Sequence, residues 1–137
     1  MFEKILLAVD TSEQSRLATS QAAELAKVTN GQIHVFHVRP LIAGRGGWLD
    51  VDLTEEERNV ADDVAAELEG QELSVTASRI ASYHGDTGKR IVEAAQDFGA
   101  DVIVMGSRGH GELPSILLGS VAHKVVHLAH CPVLIVR

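Results

Sequence analysis

Apolar and polar positions alternate between two periods along the chain, and the alternation itself predicts the elements. Residues 4 to 9 (KILLAV) are a continuous apolar run stopped by Asp10, as expected of a strand buried on both faces. Thr11 and Ser12 then offer a helix N-cap ahead of Leu17, Ala18, Ala22, Leu25 and Ala26 at helical spacing, and Asn30-Gly31 closes that helix. A second strand is predicted over 32 to 38 (QIHVFHV). The stretch RPLIAGRGGW after it, rich in Gly and Pro, is expected to be a mobile connection. Thr54 and Glu57 form a capping-box pattern that starts a helix running to about Gly70. A strand near 73 to 81, a helix from an Asp86 cap to Phe98, a strand at 101 to 105, a helix over 121 to 129 and a last strand at 132 to 136 complete the series.

Strands separated by helical stretches of this length mark βαβ units. The predicted fold is therefore α/β, an open five-stranded parallel sheet with helices on both faces, in a single domain over residues 1–137. Such sheets bind ligands outside the carboxyl ends of their strands, where strand order reverses. Asp10, Val38, Arg39 and Gly106 stand at those ends and define a candidate pocket. Asp10 could accept hydrogen bonds from an adenine amino group or a ribose hydroxyl, or serve only as a turn residue. Val38 would contribute backbone groups.

Gly106-Ser107-Arg108-Gly109, followed nine residues later by Gly119-Ser120, sits between the fourth strand and the last helix. Glycines let anionic oxygens approach main-chain N–H groups, and the first turn of the helix would aim its amides at the same point. Such a pattern can cradle phosphate, or it can simply make turns. Arg108, between the motif glycines, could reach a phosphate as a bidentate donor or remain a solvated loop residue. His110 could touch a terminal phosphate or decorate the loop.

Charge narrows the partners. Nineteen acidic residues against twelve basic give a net charge of −7, and no Lys/Arg stripe exists, which argues against nucleic acid or an anionic membrane. The N-terminal apolar run is too short for a signal or spanning segment, and the single cysteine, Cys131, fits a reducing compartment, so a soluble cytoplasmic protein is expected. Gly85 to Arg90 has a superficial P-loop likeness, but the spacing is two residues short and Arg90 stands where a Ser or Thr would hold Mg²⁺. The turn AVDTSEQS lacks the glycines of a dinucleotide-binding domain, and IASYHG lacks the acceptor aspartate of a receiver domain. His123, His127 and His130 would share a helix face if the helix continued, but their place near its C-terminus is explained by the helix dipole, and no metal is assigned. No residue set for fast phosphoryl transfer is evident, so at most slow hydrolysis is expected.

ILLAVDTSEQS, IHVFHV, ADVIVMGSRGHG, LLGSVAHKVV and CPVLIVR occur in an order and spacing that resemble the universal stress protein family over the whole chain. The motif Gly106-x2-Gly109-x9-Gly119-Ser120 is similar to that of the family's ATP-binding branch. The resemblance implies a Rossmann-like fold of the adenine nucleotide alpha hydrolase type with strand order 3-2-1-4-5. It also implies ATP as ligand, with any Mg²⁺ or Mn²⁺ carried on the phosphates. Carried over by residue, it places Asp10 and the backbone of Val38 at the adenine and Gly106 near the ribose. Gly109, Gly119, Ser120 and Val121 would surround the phosphates, and Ala8, Val9 and Met105 would form an apolar floor. The function implied is a nucleotide-binding regulatory module of the stress response. A slow ATPase, or a dimeric scaffold for AMP or cyclic AMP, are the alternatives. The apolar final strand is expected at a sheet edge, and the resemblance implies a homodimer through residues 132–136.

Overall fold

The apolar run after Lys4 becomes the central strand of a sheet in a computed structural model that describes residues 1–50, 54–83, 85–109, 115 and 117–137. This strand, β1 (Lys4–Ala8), lies between β2 (Gln32–Gly44) and β5 (Val102–Gly106), both parallel to it, with Ile5 opposite Ile33 on one side and Val102 on the other. On the far side of β2 runs β4 (Ser74–Tyr83), and on the far side of β5 runs β6 (Val133–Val136), again parallel. The parallel strands thus follow the expected order. The final strand is, as anticipated, an edge, paired with β5 alone.

Ile5, Leu6 and Leu7 are all fully buried because helices cover both faces of β1. On one face Ile5, Leu7, Ile33, Val35 and Val104 meet α1 (Glu13–Thr29) and α2 (Glu55–Glu69) through Ala18, Ala22, Ala26, Val60 and Leu68. On the other, Leu6, Phe36, Ile103 and Met105 meet α3 (Thr87–Phe98) and α4 (Ser120–Leu128) through Ile91, Ala95, Ala122 and Val125. The helix ends follow the sequence signals with one exception. Ser12 Oγ accepts from the Ser15 N–H at 3.2 Å, Asn30 takes the left-handed conformation at φ 54°, and the Thr54–Glu57 capping box is complete. Asp86 holds the cap position of α3 but with helical dihedrals (φ −94°, ψ −1°), and its side chain makes no capping bond.

The segment expected to be a mobile connection is ordered strand. β2 continues to Gly44 and turns through Arg45-Gly46 into β3 (Gly47–Asp50), an antiparallel hairpin that makes the sheet six-stranded. Pro40 does not interrupt β2. In the unbroken register with β4, even-numbered residues of β2 direct their amides toward the β1 side, as Val9 N–H on Phe36 O shows, and β1 has ended before Pro40. The missing proline donor therefore breaks no ladder bond.

Outside α3, the β2–β4 ladder is tied by a polar contact. His34 Nδ1 lies 2.6 Å from Thr76 Oγ1 and Nε2 lies 2.7 Å from Ser78 Oγ, with the Phe98 ring 5.2 Å away. Burial lowers the His34 pKa from its ordinary value of 6.5. The folded chain therefore binds this proton less readily than the unfolded chain. The stability contributed by the neutral ring is complete above the unfolded value and is lost as the pH falls from there to the folded value. Between about pH 7 and about pH 5, the urea midpoint should fall more steeply for the native chain than for His34→Gln. Parallel profiles would show that this ring carries no linkage.

Candidate functional site

Because all five principal strands are parallel, their carboxyl ends share one edge, and the order reverses between β1 and its neighbours β2 and β5. A cavity of about 390 Å³ opens there. The residues that reach it come from the ends of β1, β2 and β5 and from the N-terminal turns of α1, α2, α3 and α4. Of the positions singled out in the sequence, Ala8, Val9, Asp10, Val38, Met105, Gly106, Arg108, Gly109, Ser120 and Val121 all line this one cavity. Gly119 is not among the lining residues. His110 lies outside the described residues.

Asp10 follows β1 directly and does two things. Its Oδ1 accepts from the Ser12 N–H at 2.8 Å, and its own N–H donates to Ser15 Oγ at 3.0 Å, so it shapes the turn into α1. Oδ2 has no protein partner among the described residues and stands at the cavity, next to Gly109. A β-carbon at Gly109 would sit 3.2 Å from that oxygen. The turn role and a ligand role for Asp10 are compatible. By strand alternation the N–H and C=O of Val38 point to the β1 side of β2, past the point where β1 stops.

Gly106 and Gly119 have different grounds. A β-carbon at Gly106 would come within 2.7 Å of Gln14 Cβ and 3.1 Å of the Gln14 carbonyl carbon, so glycine is required there by the approach of α1. Gly119 caps α4, and its N–H is already donated to Ser107 O at 2.6 Å. Its amide is thus structural, which corrects the expectation that it joins the anion donors. The amides of Val121 and Ala122, in the first turn of α4, have no carbonyl within the helix to accept from them, and both residues line the cavity. The helix dipole gives this end of α4 a partial positive charge.

Several lining residues were not singled out in the sequence. Thr11, Ser12, Ser15 and Thr87 are there because helices that follow parallel strands begin at the same edge. His37 is buried, and its Nδ1 donates to Val9 O at 2.7 Å, which leaves Nε2 as the acceptor of the neutral ring. Its signal was available: it directly precedes Val38, just past the part of β2 that pairs with β1. Pro40 and Glu57 arrive through the extension of β2 and the start of α2. The histidine series of α4 is broken, since the helix stops at Leu128 and Ala129 turns to extended dihedrals before His130. Among the described residues, no three His, Cys, Asp or Glu side chains cluster as metal ligands. None of the described helices is long and apolar enough to cross a membrane.

A doubly wound α/β protein with its crevice at the switch point is thereby defined, and comparison with known proteins makes the class specific. The family model described as the universal stress protein family matches residues 1–137. Universal stress protein YxiE of Bacillus subtilis is 33% identical, with 100% of both chains covered. Universal stress protein MJ0577 of Methanocaldococcus jannaschii is 30% identical, with 100% of this chain and 96% of the relative covered. Its solved structure superposes with a TM-score of 0.82 over 99% of this chain and 96% of that one. A universal stress protein of Archaeoglobus fulgidus solved in complex with dAMP shares the fold at 22% identity, with a TM-score of 0.71 and 100% of both chains covered. The chain belongs to the universal stress protein family.

The Gly106 contact gives a stability prediction that separates packing from ligand binding. Gly106→Ala should cost about 1–3 kcal/mol in urea unfolding, through the clash with α1. Gln14→Ala should not rescue it, because the β-carbon and backbone of residue 14 remain. A neutral substitution would show that α1 can retreat at no cost.

Proposed function

We propose that the 390 Å³ crevice is an adenine-nucleotide site with ATP as its ligand, in a single-domain cytoplasmic module that regulates a stress response and is not a fast enzyme. One observation carries this reading: nine of the ten residues that the family resemblance assigns to a nucleotide line one cavity at the switch point, and Arg108 joins them. Asp10 Oδ2 and the main chain of Val38 would read the adenine over a floor of Ala8, Val9 and Met105. The ribose would lie by Gly106. The phosphates would take the amides of Val121 and Ala122 with Ser120, Gly109 and Arg108 around them, and any Mg²⁺ or Mn²⁺ would arrive on those phosphates. The cavity volume falls in the range of small-molecule sites, roughly 300–1,000 Å³.

A second reading keeps the site and changes the ligand. The dAMP complex of the Archaeoglobus fulgidus relative supports another adenine nucleotide, since the groups proposed for the base act independently of the number of phosphates. Mass spectrometry of the small molecule that co-purifies with the protein separates these. Phosphate release over hours that disappears in Asp10→Ala would instead support a slow ATPase.

Gly109→Val should abolish ATP binding in titration calorimetry while melting stays cooperative, because the new side chain enters the space beside Asp10 Oδ2. Ser120→Ala should cost about 1 kcal/mol of binding. Unchanged affinity in Gly109→Val would sink the site.

We also propose a homodimer through residues 132–136. The β6 edge is apolar, Leu134 is 39% exposed, and Val126 and Leu128 of the neighbouring α4 are exposed beside it. Leu134→Asp should shift the light-scattering mass from dimer to monomer. A native chain that stays monomeric at high micromolar concentration would refute the dimer and leave the nucleotide reading intact.

A further inference from the structure

A second cavity, of about 330 Å³, adjoins the crevice, and His37 and Glu57 line both. It arises from the β2–β4 ladder. The register sets His37 opposite Arg79 and Arg39 opposite Ala81. Strand alternation puts these side chains on the face where Val35 and Ala77 pack beneath α2. Past Val35 the apolar filling of that face stops and basic side chains take over. Arg58 and Asn59 close the cavity from the first turn of α2. Three guanidiniums therefore border one space whose lining holds a single carboxylate, Glu57. Glu57 Oε2 is engaged in the capping box, accepting from Thr54 N–H at 2.9 Å and Thr54 Oγ1 at 3.0 Å. This is a local positive centre on a chain whose net charge is −7.

Arg79 is its fixed member. Nη1 donates to Arg58 O at 2.6 Å and to Asp62 Oδ2 at 3.2 Å, clipping α2 to the sheet. Nε and Nη2 have no partner among the described residues. Arg39 and Arg58 already engage the protein, and a guanidinium with five donors can serve a protein acceptor and a ligand together. Planar guanidiniums match the oxygens of phosphate and carboxylate through paired hydrogen bonds, and a bound oxyanion relieves their mutual repulsion. The basic groups line a cavity and do not spread along a face, which selects a small ligand over a nucleic acid or a membrane.

We propose that this cavity is a second anion site, distinct from the nucleotide crevice, in which Arg39, Arg58 and Arg79 hold a small phosphate- or carboxylate-bearing ligand. The test follows the arginine Nε–Hε resonances by ¹⁵N NMR during titration with inorganic phosphate and, separately, with malonate. Gly109→Val serves as background to remove competition from the neighbouring glycine turn. A saturable shift of the Arg79 resonance at millimolar probe is expected, and the stronger of the two probes identifies the ligand chemistry. Arg79→Gln and Arg39→Gln should each weaken binding by about tenfold or more. Arg79→Gln also removes the clip on α2, so Arg39→Gln, which leaves that clip in place, is the deciding variant. Non-saturating shifts with both probes, or saturable binding unchanged in Arg39→Gln, would overturn the proposal.

Discussion

The peptide groups of Ser107 hold together the part of the molecule on which the crevice depends. The residue is 1% exposed; its N–H donates to Val136 O at 2.8 Å and its C=O accepts from Gly119 N–H at 2.6 Å. One buried residue thereby links the end of β5, the end of β6 and the start of α4. Breaking either bond would leave a buried main-chain group unsatisfied, at a cost of about 1–3 kcal/mol. The bond to Gly119 fixes where α4 begins, and so fixes the direction of the Val121 and Ala122 amides. Gly106, one residue earlier, lets α1 close on the same strand end. The cavity is thus framed by main-chain contacts, and the side chains at its rim can vary without loss of its shape.

Much of this was legible in the sequence because parallel sheets obey strong rules. Continuous apolar runs of six or so residues, capped helices between them and a strand that ends in an acid lead to the sheet and to its carboxyl edge. The residue set around Asp10, Val38 and Gly109 followed from that edge and from the family motif. Three things were hidden for identifiable reasons. The ordered extension of β2 was masked by Pro40 and three glycines, which read as loop unless the side of the ladder that Pro40 faces is known. The structural use of the Gly119 amide was invisible because its partner is a carbonyl. The cavity lined by Arg39, Arg58 and Arg79 required the register of β2 against β4, which no local pattern supplies.

Net charge proved a poor guide to local potential. An excess of seven acids over the whole chain argues against extended polyanions as partners, yet the sheet's carboxyl edge collects the N-terminal ends of its helices and, in the two cavities, Arg39, Arg58, Arg79 and Arg108. Helix dipoles and guanidiniums act within a few ångströms, whereas the surface carboxylates of α2 act mainly through solvent. The protein can therefore remain an acidic body and still present anion-receptive ground at one edge.

The outermost parallel strands, β4 and β6, differ in character. β6 is apolar, with Leu134 partly exposed, whereas β4 exposes Ser74, Thr76, Ser78 and Arg79 along with Ile80 and Tyr83. A strand edge that is polar and charged resists pairing with another chain. Association that used the β6 edge would consume that apolar border and leave the largely polar β4 toward each extremity, so growth would stop at a pair. The asymmetry between these strands would then act as a terminator against open-ended fibres.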